Sequence, residues 1–302
     1  MNPKSLILML ATSVPALHAN EEDLNSPPVV TAKAWVISDA ASGKLLWQHE
    51  ADQQRKAAST AKVMCAYTVF QLATKDPSIM SEWVKISQLA GTTVGSTAEL
   101  KPGEQIQVKD ALLAMLLPSG NDAGNALAEH FHLRLAPPDE VLLNAGLDNP
   151  LLNTRSHFIA EMNRFARQIG MTQTIYRSSF GDGGTEHDRT TTAADLSRLA
   201  FAAMQLPAFR TAVATRHHEA RIKKADGSLR TASWKNSNAL LELDLGYDGI
   251  KTGLTNQAGH CLIASGQREQ RRLHVVVLGS TSEEARDSDA RNLFRWAWTQ
   301  QP

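Results

Sequence analysis

Ser59 and Lys62 stand three residues apart in AASTAKVMCAY, residues 57–67. On a helix these positions are neighbours, so the hydroxyl and the amine can meet. A serine hydroxyl is a weak nucleophile until a base takes its proton, and an uncharged lysine amine can act as that base. The start of a helix adds positive potential that favours a developing alkoxide. The pair alone discriminates little, because Ser-x-x-Lys arises by chance about once in a chain of this length and commonly does no more than begin a helix.

Two later stretches give it weight. LLPSGNDAGNALAEH sets Ser119-Gly120-Asn121 between two apolar helical runs, and YDGIKTGLTNQAGHCLIAS sets Lys251-Thr252-Gly253 at the opening of a strand. Ser-x-x-Lys, Ser-x-Asn and Lys-Thr-Gly, in that order, are the signature of active-site-serine penicillin-binding proteins and β-lactamases. On these motifs the chain resembles the D-alanyl-D-alanine carboxypeptidase family, the low-molecular-weight penicillin-binding proteins. The similarity extends through AWVISDAASGKLLWQ, GTTVGSTAELKPGEQIQVKDALLAMLLPSGNDAGNALAEH, FIAEMNRFARQIGM, TTAADL at 191–196 and DGIKTGLTNQAGHCLIAS to the terminal helix.

The resemblance implies that Ser59 attacks the carbonyl of the penultimate D-alanine of a peptidoglycan stem peptide, forming an acyl-enzyme that water hydrolyses. Lys62 would be the base, which requires it to be neutral near pH 7; the neighbouring cation of Lys251 and partial burial press in that direction. Ser119 would relay a proton to the leaving amine, with Lys251 supporting the network, and Asn121 would hydrogen-bond the substrate peptide. The oxyanion would sit between the backbone N–H groups of Ser59 and Leu254, beside Gly253. Thr252 and Arg286 would meet the substrate's terminal carboxylate. Without the resemblance, Arg286 reads as an ordinary surface charge at a helix start. β-Lactams would inhibit by acylating the same serine, and no cofactor or metal is implied.

The sequence departs from the family in three places. FGDGGTEHDRTTTAADL carries Thr191 where the family has a serine, leaving substrate selection at that loop open. Residues 134–156 form a Pro-, Asn- and Asp-rich excursion, expected to bulge outward. Inside it, Glu140 to Asn144 mimic the Glu-x-x-Leu-Asn of class A β-lactamases but follow Ser119 too closely for that layout. Glu140 is therefore expected to be a surface glutamate, and β-lactamase ranks behind carboxypeptidase. Cutting of cross-links by a DD-endopeptidase begins with the same acyl transfer, so the residues do not separate it from carboxypeptidase. A wall-binding protein without turnover would not need Ser59, Lys62, Ser119, Asn121 and Lys251 together.

The elements that must position these groups follow from periodicity. AWVISDAASGKLLWQHE reads as a hairpin about Ala41-Ser42-Gly43, and GHCLIASGQREQRRLHVVVLGS as a second, turned near Gln270. Apolar residues recur at three and four over 59–74, 109–117, 121–133, 157–169 and 193–204, predicting helices, and 282–299 predicts a terminal one. Strands at both ends with helices between predict an α+β fold: an antiparallel sheet built from both termini, with an inserted all-helical lobe over about 75–200. The resemblance makes this a serine β-lactamase/DD-peptidase-like domain spanning 29–300.

Residues 1–19, MNPKSLILMLATSVPALHA, have a basic start, an apolar run and small residues at Ala16 and Ala19, which predicts a cleaved export signal. No later run reaches the roughly 18 apolar residues of a membrane span. With 31 basic and 31 acidic residues the formal charge is zero, giving no electrostatic reason to expect a nucleic-acid partner or an anionic membrane. Phe294, Trp296 and Trp298 are expected to pack the last helix on the sheet instead of anchoring it in a membrane, with no anchor domain following. His130, His132, His217 and His218 do not form a metal set. Export would permit Cys65 and Cys261 to pair, yet both lie in apolar runs and are expected as buried free thiols.

Overall fold

The computed structural model describes residues 26–144, 154–181 and 191–300. The chain opens with the hairpin β1 (Ala34–Asp39) and β2 (Leu45–His49), followed by a 3-10 turn, Ala58–Ala61, that runs directly into α1 (Lys62–Lys75). Next come β3 (Trp83–Lys85), α2 (Gln88–Gly91), β4 (Gln105–Gln107), α3 (Val108–Leu116), α4 (Asn121–Phe131) and α5 (Glu140–Asn144). Helices α6 (Ser156–Gln168), α7 (Ala193–Met204) and α8 (Pro207–Ala214) lead to the hairpin β5 (His217–Lys223) and β6 (Leu229–Lys235). Strands β7 (Tyr247–Thr255), β8 (Gly259–Arg268) and β9 (Arg271–Ser280) and the terminal helix α9 (Glu283–Thr299) complete it.

The main sheet is antiparallel, in the order β2-β1-β9-β8-β7. β9 joins the strands from the start of the chain to those from its end, and its run Leu273–Ser280 is buried throughout, as a strand covered on both faces must be. Alternation sorts its neighbours. Trp35, Ile37, Leu262, Ala264, Val275 and Val277 pack with Leu293, Phe294 and Ala297 of α9, whereas Ala34, Val36, Cys261, Ile263, Val276 and Leu278 join the helical core. The terminal helix thus packs on the sheet through Phe294, with Trp298 stacked on that ring, as its apolar spacing predicts.

α1 runs through the helical core, buried continuously from Lys62 to Phe70. Thr192 and Ser282 cap α7 and α9 by accepting the N–H groups of Asp195 and Ala285, a contribution of about 1 kcal/mol each. No side chain caps α1. Ser59 lies inside the 3-10 turn, so its hydroxyl is not used as a cap.

The inserted region is not all helical. β3 and β4 fall within it and pair with the β5–β6 hairpin in a second antiparallel sheet, β3-β4-β5-β6. The alternation in HHEARIK and LRTASWK is masked by charge: only Ala220, Ile222 and Trp234 of these strands are buried. Both cysteines are buried and neither forms a disulfide among the described residues, and burial pushes the Cys65 thiol up to about 12. The predicted export signal and most of the glycine-rich FGDGG loop lie outside the described residues. Among those described, no helix is long and apolar enough to cross a membrane.

Candidate active site

Ser59 and Lys62 meet as their spacing predicts. Lys62 is fully buried, and its Nζ lies 2.8 Å from Ser59 Oγ, 2.7 Å from Asn121 Oδ1 and 3.1 Å from the Phe180 carbonyl oxygen. The Asn121 amide is oriented by its other end, since Nδ2 donates to the Val94 carbonyl at 2.8 Å and leaves Oδ1 for the lysine. An uncharged amine has two N–H groups and one lone pair, and the two carbonyl-type oxygens can only accept. In the uncharged form these oxygens are placed to take both N–H groups. The lone pair is then left for the Ser59 hydroxyl, the arrangement a general base requires.

The backbone around the pair is closely fitted. Ala58 and Ser119, neither of them glycine, hold φ of 48° and 68°, a conformation that costs about 1 kcal/mol or more. A methyl group on Gly253 would come within 3.1 Å of the backbone nitrogens of Ser59 and Thr60, and one on Gly181 within 2.2 Å of the Ala58 carbonyl oxygen. Glycine at these positions lets β7 and the Phe180 turn close on the nucleophile from two sides. Ser178 ties that turn by accepting the Gly181 N–H at 3.0 Å.

Strand alternation divides the Lys-Thr-Gly residues between two jobs. Lys251 and Gly253 stand opposite Ile263 and Cys261, on the face of the helical core. Thr252 and Leu254 stand opposite Leu262 and His260, on the side of α9, where Arg286 lies. Leu254 is exposed, and β7 is the border strand of the main sheet. The predicted oxyanion donors, the N–H groups of Ser59 and Leu254, therefore belong to segments in contact through Gly253.

Lys251 differs from expectation. It is buried, and burial, reinforced by the Arg286 cation, lowers its pKa to about 7. It titrates near neutrality and is not a permanent charge. Its Nζ donates to the Thr252 carbonyl at 3.1 Å and reaches Thr252 Oγ1 at 3.5 Å. Arg286 is no surface charge. It is buried, with Nε on Asp287 at 2.8 Å and Nη2 on Glu283 at 3.1 Å, and it supplies the fixed positive potential beneath the Lys-Thr-Gly strand.

Asn121 has a task beyond the one expected, and Ser119 is left open. Asn121 is engaged at both ends of its amide within the protein, so it holds Lys62, with one N–H and one lone pair left over for a ligand. The buried Ser119 hydroxyl makes no hydrogen bond among the described residues, and it is not bonded to either lysine. Glu140 is exposed on a five-residue helix. Thr191 is fully buried, with its hydroxyl 2.9 Å from that of Thr174 and its backbone paired with Arg55. It is a packing residue of that segment.

Several contributors carry no motif. The carboxylate of Asp122 accepts the N–H groups of Ala98 and Leu100 and the Thr97 hydroxyl, strapping the 94–100 loop to the start of α4. That strap presents the Val94 carbonyl to Asn121. Ser237, just beyond β6, places its hydroxyl 2.8 Å from that of Thr252. The Asp226-Gly227 pair between β5 and β6 is a hairpin signal that would have located its strand.

Comparison with known proteins agrees with this layout. A profile of the D-alanyl-D-alanine carboxypeptidase family matches residues 21–132 and 153–282. A D-alanyl-D-alanine carboxypeptidase of Streptomyces sp. strain K15 is 30% identical over 273 residues, covering 90% of this chain and 88% of the relative. D-alanyl-D-alanine carboxypeptidase DacC of Escherichia coli K12 is 29% identical over 292 residues, covering 94% of this chain, which spans 65% of that relative's length. The crystal structure of the Streptomyces K15 DD-transpeptidase superposes with a TM-score of 0.78 at 30% identity, over 91% of this chain and all of the other. That of the carboxypeptidase DacD from Francisella tularensis gives 0.77 at 26% identity, over 91% and 72%.

Proposed function

Since the chain belongs to the D-alanyl-D-alanine carboxypeptidase family, we propose that it removes the terminal D-alanine from peptidoglycan stem peptides through an acyl-enzyme on Ser59. The observation that carries this reading is the 2.8 Å contact of Lys62 Nζ with Ser59 Oγ, with the Asn121 and Phe180 oxygens placed to accept N–H groups of the amine.

In acylation, Ser59 Oγ bonds to the carbonyl carbon of the penultimate D-alanine and its proton passes to Lys62 Nζ. The developing oxyanion is met by the N–H groups of Ser59 and Leu254, each such donor being worth about 3 kcal/mol in related chemistry. The peptide C–N bond then breaks, and the departing nitrogen takes the proton held by Lys62, with the open Ser119 hydroxyl available to pass it on once substrate is bound, releasing D-alanine. Water attacks the ester in the reverse sense, giving its proton to Lys62 while Ser59 Oγ regains a hydrogen. Thr252, with Arg286 behind it, receives the terminal carboxylate. A β-lactam acylates Ser59 in the same way, but its amine stays tethered and the adduct persists.

A second reading concerns the acceptor. The matched Streptomyces K15 structure is titled a DD-transpeptidase, and an amine in place of water would resolve the same acyl-enzyme into a cross-link. Residues 1–19 support export to the periplasm or the cell exterior, with cleavage near Ala16 to Ala19.

The test is to incubate the purified chain separately with a stem pentapeptide, with cross-linked muropeptides and with benzylpenicillin. Free D-alanine from the pentapeptide and one slowly released penicillin adduct on Ser59 are expected. Cleavage of cross-links without D-alanine release would make it an endopeptidase. Rapid turnover of penicillin would make it a β-lactamase.

A further inference from the structure

Ser237 belongs to none of the three motifs, yet it touches one of them. Its Oγ lies 2.8 Å from Thr252 Oγ1, and its side of the contact is held firmly. The Ser237 N–H donates to the Leu117 carbonyl at 3.0 Å, tying the segment to the loop that carries Ser119. On one flank, Asn236 donates through Nδ2 to the Thr215 carbonyl at 3.0 Å and through its backbone to Arg216 at 2.7 Å. On the other, the N–H of Asn238 is received by Asn236 Oδ1, and Asn238 Oδ1 receives that of Leu240. Ser237 itself is exposed. It is thus an open hydroxyl on a fixed loop between the Ser119 loop and the Lys-Thr-Gly strand.

A hydroxyl oxygen has one hydrogen and two lone pairs. Lys251 Nζ approaches Thr252 Oγ1 at 3.5 Å, a long contact in which the amine donates toward one lone pair. If Ser237 donates into the second, the Thr252 hydrogen has no recorded acceptor among the described residues and is left for a ligand.

We propose that Ser237 is a positioning residue that donates its hydrogen bond to Thr252 and so commits the Thr252 hydroxyl to donate to the free carboxylate of the ligand. The inference rests on the reading of the site as a DD-peptidase. In this arrangement Ser237 acts through Thr252, so its effect scales with the negative charge at the ligand's end. An uncharged end gains much less from an aimed donor, because hydrogen bonds to ions are the stronger ones.

The test compares wild type, Ser237→Ala and Ser237→Thr on one stem peptide prepared with a free carboxylate and as its C-terminal amide. It repeats the comparison by acylation with benzylpenicillin and with its methyl ester. In Ser237→Ala the preference for acid over neutral ligand, taken as the ratio of kcat/KM values or of acylation rate constants, should fall about tenfold. Ser237→Thr, which keeps the hydroxyl, should restore it. Equal losses on acid and neutral ligands, or a ratio within about twofold of wild type, would overturn the proposal. Thermal unfolding of the variants separates a misfolded protein from a misaimed hydroxyl, and in that event Ser237→Cys provides the substitute measurement. A wild-type chain that is labelled by neither penicillin nor its ester would instead overturn the DD-peptidase reading.

Discussion

Replacing Lys62 with methionine keeps the length of the buried chain and deletes its amine. Because that amine has Ser59 on one side and two acceptor-only oxygens on the other, penicillin labelling of Lys62→Met should slow by about a thousandfold. Far-UV circular dichroism should be unchanged, and normal labelling would remove Lys62 as the base. Lys251 yields a prediction about stability. Its pKa is about 7 in the folded protein and about 10.4 in an unfolded chain, so between these values the unfolded chain binds the extra proton. Folding stability contributed by this residue therefore rises with pH across that interval, and the cost of burying the amine is complete below about pH 7. Lys251→Met should be more stable than wild type at pH 6.5 and lose that advantage by pH 10, as read from urea midpoints. At this scale the three motifs were legible because each announces a side chain with a chemical task. The Phe180 and Val94 carbonyls were not, since every residue carries that group and only the fold decides which one faces Lys62 and which one Asn121.

Elements fit here through absent side chains. Gly253→Ala pushes a methyl against the backbone at Ser59 and Thr60, where the gap is 3.1 Å. β7 and the 3-10 turn must then separate by a few tenths of an ångström, which should lower the acylation rate about a hundredfold with little change in melting temperature. Gly181→Ala meets the Ala58 carbonyl at 2.2 Å from a backbone with φ of 121°, so it should cost about 2 kcal/mol or more of stability as well. A calorimetric scan alongside penicillin labelling separates the two cases. The hairpins of the main sheet and helices α1, α3, α4, α6, α7 and α9 were readable in the sequence. β5 and β6 were not, because Glu219, Arg221 and Lys223 occupy the positions that face away from Ala220 and Ile222 and dilute the apolar signal. With them the second sheet was missed, and with it Ser237. The Lys251–Gly253 strand was placed correctly, but its edge position depends on pairing partners that no local pattern records.

The whole molecule has an acid-sensitive point away from the nucleophile. His274 sits in the middle of β9, buried, between Ser38 on β1 and Ser265 on β8, with neither ring nitrogen hydrogen-bonded among the described residues. Burial lowers its pKa to about 4, Arg272 assisting while Asp248 and Asp39 oppose. The unfolded chain therefore takes up a proton near pH 6.5 that the folded chain refuses until about pH 4. Stability should decline by on the order of 3 kcal/mol as pH falls through that window, and His274→Gln should flatten the decline in urea titrations. The main sheet also fixes when activity can arise. β1 has β9 as its inner neighbour, and the serine turn leans on β7, so both partners are made long after the serine and its lysine. A growing chain holds Ser59 and Lys62 long before it holds the wall they need, and hydrolytic competence waits for β7 and β9 to be made. Synthesis order alone keeps the nascent polypeptide chemically silent.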